Sequence, residues 1–357
     1  MGLKAKQIED WKESENEWEP SVTDLPRNLA KGDTIGIICP ASPFPAWFPR
    51  RFARAVHNLE SKSYRVKIGA HVRDKLGHKA GMREGRLADI HSMYEDDSVR
   101  LVMTVLGGYN ANELLDDLDY GLVQKNPKGL IGYSDITALH LAVQAKTGLT
   151  TFYGPHLMSQ FGEYPDVLPY TFENFLRIVS NPVPAGPIQP SAEWTEERLE
   201  YDEQDDRART MQPSTGWKTI RTGTATGPLI GGEINTLVIQ TRTEYMPRLD
   251  GALFFWEDYG STLAWVDRFL ANLRTKGVFE RINGMLVGRT LRAGFKPSPT
   301  GISLDKIILE NTRGYDFPIM TNMDFGHTDP QMTLPIGVRA TMRAEDKYLS
   351  IDEPAVS

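Results

Sequence analysis

Gly129-Leu130-Ile131-Gly132-Tyr133-Ser134-Asp135-Ile136-Thr137 is the stretch that decides the fold. Its apolar start reads as a buried strand, and Ala138-Leu139-His140-Leu141-Ala142-Val143 behind it has helical periodicity. Ser134 therefore stands at a strand-to-helix corner. A hydroxyl placed there projects above the carboxyl edge of a sheet, and the N–H groups at the helix start are free to hold an oxyanion. The commoner use of a serine before a helix is as an N-cap, its oxygen accepting a backbone N–H. Ile136 occupies the place of the last glycine in the G-x-S-x-G elbow of α/β-hydrolases, so that motif is incomplete. From this phrase alone nucleophile and cap both stand.

Working outward, strands and helices alternate. Thr34-Ile35-Gly36-Ile37-Ile38-Cys39 reads as a strand, followed by a helix around Phe52 to Val56 and a strand at Tyr64 to Ile68. A helix over Arg83 to Tyr94 and a strand over Val99 to Val105 come next, then the loop Leu106-Gly107-Gly108-Tyr109-Asn110 and a helix from Ala111. This alternation predicts a parallel sheet covered by helices on both faces. In such sheets ligands sit beyond the carboxyl ends of the strands, where Gly107-Gly108 and Tyr133-Ser134 both fall.

The chain has 357 residues, which favours two domains. Residues 1–30 read as a polar extension, 31–180 as the domain carrying the serine, and 181–219 as a Pro-rich, charged connector holding Trp194 and Trp217. Residues 220–345 read as a second, smaller α/β domain and 346–357 as a tail. That second part opens with Leu229-Ile230-Gly231-Gly232-Glu233 before a helix from Ile234, with further strands at Ala252 to Trp256 and Gly284 to Gly288. A tryptophan in a polar connector either anchors the loop or stacks on a ligand.

A formal charge of −7 argues against a nucleic-acid binder that works by phosphate neutralisation. No apolar run approaches a membrane span. No secretory signal is visible behind Met1, and Cys39, the single cysteine, excludes an internal disulfide or a cysteine-based zinc cluster. A cytoplasmic location is the expectation.

A serine hydroxyl needs a base, and the base a carboxylate. Of the seven histidines, His57, His71, His78 and His91 lie in helical or charged contexts, and His140 follows Ser134 within the same helix. His156 sits in a loop. His327, bracketed by Gly326 and Pro330 after the strand Ile319-Met320-Thr321, has the most exposed strand-end setting. Phe254-Phe255-Trp256-Glu257-Asp258 is an apolar strand ending in two carboxylates; one of them suits a cap for a helix beginning near Thr262. Alternation puts them on opposite faces and leaves open which meets His327.

Taken together, these phrases resemble the serine peptidase family of LD-carboxypeptidases and microcin C immunity proteins. The matching motifs are Gly32-Asp33-Thr34-Ile35-Gly36, Gly107-Gly108-Tyr109-Asn110, Gly132-Tyr133-Ser134-Asp135, Gly231-Gly232, Glu257-Asp258, Asp324-Phe325-Gly326-His327-Thr328 and Leu334-Pro335-Ile336-Gly337, in the family's order. The resemblance implies a flavodoxin-like parallel-sheet N-terminal domain and a smaller swivelling β/α C-terminal domain. It implies Ser134 as nucleophile, His327 as general base, Glu257 as the orienting carboxylate, and an oxyanion hole from the N–H groups of Gly108 and Asp135. It further implies a homodimer acting on a small-molecule or peptide substrate, with no metal or other cofactor. Trp194 is expected to stack on a nucleobase, as in the microcin C immunity type, with Tyr109 and Glu233 also facing substrate. That type cleaves an aminoacyl group from a nucleotide-like toxin; the alternative is removal of the terminal D-alanine of murein tetrapeptides. Glu233 departs from the family, which commonly has Asn there. The remaining alternatives are a small-ester hydrolase and a ligand-binding α/β protein in which Ser134 only caps a helix.

Overall fold

The computed structural model describes residues 24–291 and 301–357. The first part of the chain supplies β1 (Thr34–Ile38), β2 (Arg65–Ile68), β3 (Val99–Thr104), β4 (Gly129–Gly132) and β5 (Thr151–Tyr153). Between them lie α1 (Pro49–Ser61), α2 (Arg83–Glu95) and α3 (Thr137–Thr147). The connector carries β6 (Gly186–Ile188), β7 (Glu193–Trp194), β8 (Gln212–Pro213) and β9 (Lys218–Arg221). The second half contributes β10 (Thr224–Glu233), α4 (Ile234–Gln240), β11 (Leu253–Glu257), α5 (Leu263–Thr275) and β12 (Gly284–Gly288). It closes with β13 (Ile319–Met323), β14 (Leu334–Ile336), β15 (Arg339–Arg343) and β16 (Tyr348–Ile351).

Two mixed sheets result. The first runs β14-β5-β4-β3-β1-β2, parallel from β2 through β5, and this 2-1-3-4-5 order is the flavodoxin-like one. The second runs β6-β16-β15-β10-β11-β12-β13-β9, with β10 to β13 parallel. Parallel strands covered on both faces read as unbroken apolar runs, and all five residues of β11 are buried.

The strand exchange between halves differs from the division read in the sequence. β14 leaves the second half and pairs antiparallel with β5 of the first sheet. Residues 346–357, expected as a tail, instead supply β16, which pairs with β15 and with β6 of the connector. Short strands flanked by polar turns carry too weak a period to be read locally. The expected N-terminal extension over residues 1–23 lies outside the described residues. Residues 24–30 run along the first half, with the Leu29 N–H donating to the Val179 carbonyl at 2.8 Å. The expected helix from Ala111 is a 3₁₀ turn, Ala111–Leu114. Among the described residues no helix is long and apolar enough to cross a membrane.

The parallel strands of both sheets direct their carboxyl ends to one crevice. Ser134 follows β4, Glu233 ends β10 and Glu257 ends β11, with Glu233 and Glu257 at the same register. Phe254 is fully buried in the strand that carries Glu257. Phe254→Ala should cost about 3–5 kcal/mol of stability. Urea unfolding reads this directly, and an unchanged midpoint would contradict the packing described.

Candidate active site

Ser134 opens a 3₁₀ turn that runs into α3, and its backbone sits at φ 63°, in the left-handed region. A non-glycine residue held there is strained, a cost that recurs at functional sites. The loop Gly107-Gly108 comes up against it. A Cβ on Gly107 would lie 2.9 Å from the Ser134 Cβ and 3.2 Å from the Asp135 nitrogen, so only glycine admits that approach. The Asp135 carboxylate accepts the Ala111 N–H at 2.9 Å and so anchors the far end of the same loop. Gly108 and Asp135 both line the crevice beside Ser134.

His327 Nε2 is 3.1 Å from Ser134 Oγ, and His327 Nδ1 is 2.7 Å from Glu257 Oε2. Glu257 is fully buried. Gly326, at φ 102°, makes room for it: a Cβ there would stand 2.7 Å from the Glu257 Cγ. Asp258 does not cap α5, which Thr262 does; it accepts the Gly260 and Ser261 N–H groups at 2.7 and 2.6 Å in the turn before that helix. The imidazole of His327 is flanked edge-on by Tyr133 at 5.0 Å and Tyr259 at 4.5 Å.

The loop bearing His327 is fastened from behind. Asp324 accepts from Trp217 Nε1 at 2.8 Å, Arg289 Nη2 at 2.6 Å and the Ser191 N–H at 3.0 Å. Asp329 accepts from Arg209 Nη2 at 2.9 Å and Gln160 Nε2 at 3.1 Å, while its backbone exchanges both hydrogen bonds with Thr195. Arg209 also pairs with Glu163. Burial of these ions is offset by mutual pairing, and the connector is bonded to the loop that carries His327 rather than lying free of it.

The other histidines beneath the site are locked. His156 Nε2 accepts the Tyr133 N–H at 3.0 Å, and burial, reinforced by His327 and His140, holds its pKa well below the ordinary value. His140 Nε2 meets the Gly132 carbonyl at 2.9 Å, and burial lowers its pKa to about 4. Both are neutral supports. His156 cannot accept a proton from the serine.

Three residues were expected to contact a ligand. Tyr109 is 75 % exposed at the crevice mouth. Glu233 lines the crevice and caps α4, accepting the Asn235 and Thr236 N–H groups at 3.0 and 2.8 Å. Trp194 is not brought to the crevice. It is buried, with the Arg289 guanidinium 4.6 Å from its ring centre, so it serves with Trp217 as a loop anchor. The aromatic rings that do line the crevice include Phe44, Trp47, Phe48 and Tyr201, with ring centres in contacting pairs 5.4–6.4 Å apart. Arg51 lies 3.9 Å from the Tyr201 ring centre. No periodicity marked Tyr201, which sits in a polar, irregular run. The crevice encloses about 1080 Å³. Among the described residues no group of three or more His, Cys, Asp or Glu side chains is placed to hold a metal.

A serine, an imidazole and a buried carboxylate in hydrogen-bonded sequence, drawn from two α/β sheets, is the side-chain set of serine hydrolases. Residues 35–154 match the LD-carboxypeptidase N-terminal domain and residues 226–342 the LD-carboxypeptidase C-terminal domain. The chain belongs to the LD-carboxypeptidase family of serine peptidases. It is 37 % identical over 311 residues to the putative carboxypeptidase YocD of Bacillus subtilis, covering 87 % of this chain and 93 % of the relative. It is 31 % identical over 338 residues to the microcin C7 self-immunity protein MccF of Escherichia coli, with coverage of 92 % and 96 %. It is 30 % identical over 332 residues to a probable murein peptide carboxypeptidase of Bacillus subtilis, with coverage of 93 % and 95 %. The solved structure of MccF in complex with aspartyl sulfamoyl adenosine superposes with a TM-score of 0.88 at 29 % identity, covering 94 % of this chain and all of that one.

The electrostatics of Glu233 are testable without substrate. Burial, and next the charge of Glu257, push its pKa from 4.5 up to about 7 against the hydrogen bonds from Asn235 and Thr236. A carboxyl whose folded pKa is raised contributes fully below pH 4.5, and that contribution is lost as pH rises to about 7. Glu233→Gln removes the titration. Its melting temperature relative to wild type should rise between pH 5 and pH 8, on the order of 2–4 °C. Parallel pH profiles for the two proteins would contradict the assignment.

Proposed function

We propose that this protein is a serine hydrolase that releases an aminoacyl group from a nucleotide-like conjugate. The observation that carries this reading is the continuous chain from Ser134 Oγ through His327 to Glu257, at 3.1 and 2.7 Å. Ser134 Oγ attacks the acyl carbonyl as His327 Nε2 takes its proton, and Glu257 stabilises the imidazolium through Nδ1–H. The N–H groups of Gly108 and Asp135 receive the oxyanion; one such donor is worth about 2.7–4 kcal/mol in comparable hydrolases. Collapse breaks the bond to the leaving group, which departs with the proton from His327. Water, deprotonated by the same imidazole, then frees the acyl group from Ser134.

Support for the leaving-group class comes from the aromatic side chains Phe44, Trp47, Phe48 and Tyr201 that line the crevice, and from the sulfamoyl adenosine held by the Escherichia coli relative. Tyr109 and Glu233 are proposed to meet substrate, and a carboxylate at position 233 favours a cationic group on it. A cytoplasmic homodimer is part of the same proposal. The second reading is a murein tetrapeptide LD-carboxypeptidase with the same triad. It is favoured by the similarity to the murein peptide relative and by Arg198, an exposed cation on the crevice wall suited to a terminal carboxylate.

The test incubates the purified protein with aminoacyl sulfamoyl adenosines and, separately, with a murein L,D-tetrapeptide, reading products by mass spectrometry. Release of the amino acid from the conjugate is expected, and Ser134→Ala should lower turnover by roughly 10⁴–10⁶-fold. Loss of D-alanine from the tetrapeptide alone would transfer the protein to the second reading. Wild-type turnover by the Ser134→Ala protein would sink both.

A further inference from the structure

We propose that Tyr153 is a positioning residue of this site: its hydroxyl holds the Glu257 carboxylate in place for His327 and turns the Ser134 backbone N–H away from the oxyanion. The inference rests on the triad reading above. It adds a residue from the nucleophile's own sheet that acts on the acid supplied by the other sheet.

Tyr153 ends β5, where its register partner is Gly132 of β4, two residues before Ser134. On its other side it pairs with Leu334 of β14, the strand that returns from the second half. The ring is 1 % exposed, with the Phe255 centroid at 5.3 Å and that of Tyr133 at 6.2 Å. Apolar packing of this kind asks only for a phenyl ring. Burying a phenol there is costly unless its oxygen is bonded. The oxygen is bonded twice: it donates to Glu257 Oε1 at 2.7 Å and accepts the Ser134 N–H at 3.3 Å.

Each bond constrains the chemistry. With Oε1 occupied, Glu257 presents Oε2 to His327 Nδ1, so the acid cannot rotate to another partner. With its N–H directed inward, Ser134 does not contribute its own amide to the oxyanion hole, which falls to Gly108 and Asp135. The Ser134 carbonyl is held as well. Thr137 Oγ1 donates to it at 2.6 Å and accepts the Glu233 N–H at 2.9 Å. Both backbone groups of the strained serine are thus tied, one to a side chain that also grips Glu257 and the other to a side chain that grips β10.

The polar surroundings favour a neutral phenol as donor. Glu257 faces Tyr153 and His327 and feels the charges of Glu233 and Asp258. Around Tyr153 lie Glu257, Glu233 and the His140 ring, 6.2 Å away. Burial and then Glu257 raise the phenol well above its ordinary pKa, so it stays protonated and donates throughout the working range.

The test is Tyr153→Phe, which preserves ring volume and removes only the hydroxyl, assayed with whichever substrate the protein turns over. A fall in kcat of roughly 10–100-fold with unchanged KM is expected, the size of effect that misplacing a reacting group has. Removing one donor leaves more charge on Glu257 for the imidazolium, so the acid-side midpoint of kcat/KM should move up. A double-mutant cycle separates this from loosened packing. In a Glu257→Gln background, Tyr153→Phe should cost several-fold less than in the wild type, because only the bond to the Ser134 N–H remains to be lost. Should the Phe variant not fold, 3-fluorotyrosine placed at position 153 keeps the shape, donates more strongly and should move the midpoint down. An unchanged kcat and pH profile in Tyr153→Phe, or a full multiplicative loss in the Glu257→Gln background, overturns the inference while leaving the triad intact. Wild-type turnover by Ser134→Ala overturns the triad itself.

Discussion

A carboxylate with no exposure to water joins the two halves of this protein at the site. Glu257 ends a strand of the second sheet, yet it is gripped by a phenol from the first sheet on one oxygen and by His327 on the other. An isolated buried carboxylate would neutralise itself or draw in water. This one stays enclosed because donors from both sheets converge on it, and it can do so only while the sheets keep their relative position. The geometry at Ser134 depends on the same contact, since Tyr153 joins the serine backbone to Glu257.

The rest of the molecule supports that junction from behind. The connector could have been a passive crossover, but its Arg209, Trp217 and Ser191 amide bond to carboxylates of the loop that carries His327. Arg209 spans Glu163 and Asp329, and Asp324 gathers Trp217, Arg289 and the Ser191 amide. An imidazole on an irregular loop gains precision when the loop's own carboxylates are spent on fixed partners. β14 works in the same direction by adding a strand from the second half to the first sheet, next to β5 and Tyr153. Glycines at 107 and 326 leave the space that lets backbone approach Ser134 and Glu257 closely.

Parts of this arrangement were legible residue by residue. The parallel sheet from β1 to β4 follows from alternating apolar runs and helical periods, and the corner at Ser134 follows from a strand meeting a helix. Glu257 and His327 stood out as acid and imidazole at strand ends, although nothing local could say which carboxylate faced the ring. An aromatic residue in a polar, irregular segment looks the same whether it waits for a ligand or packs under an arginine, as Trp194 does under Arg289. Tyr201 stands in a similar run, yet it lines the crevice. Tyr153 was invisible as a site residue, since it ends a three-residue apolar strand and its partners lie 19 and 104 residues away.

By itself the sequence determined the secondary structure around Ser134, the alternation of strands and helices in the first half and the residue types available for acid–base chemistry. These depend on neighbours two to four positions apart, where hydrophobic period and turn chemistry act. Only the tertiary structure decided that Glu257 rather than Asp258 meets His327, that Trp194 is an anchor, and that a phenol couples the serine to the acid. Those outcomes rest on contacts such as Ser134 to His327, separated by 193 residues. Such contacts are set by how two sheets pack against each other, and a local period carries no information about the space between sheets.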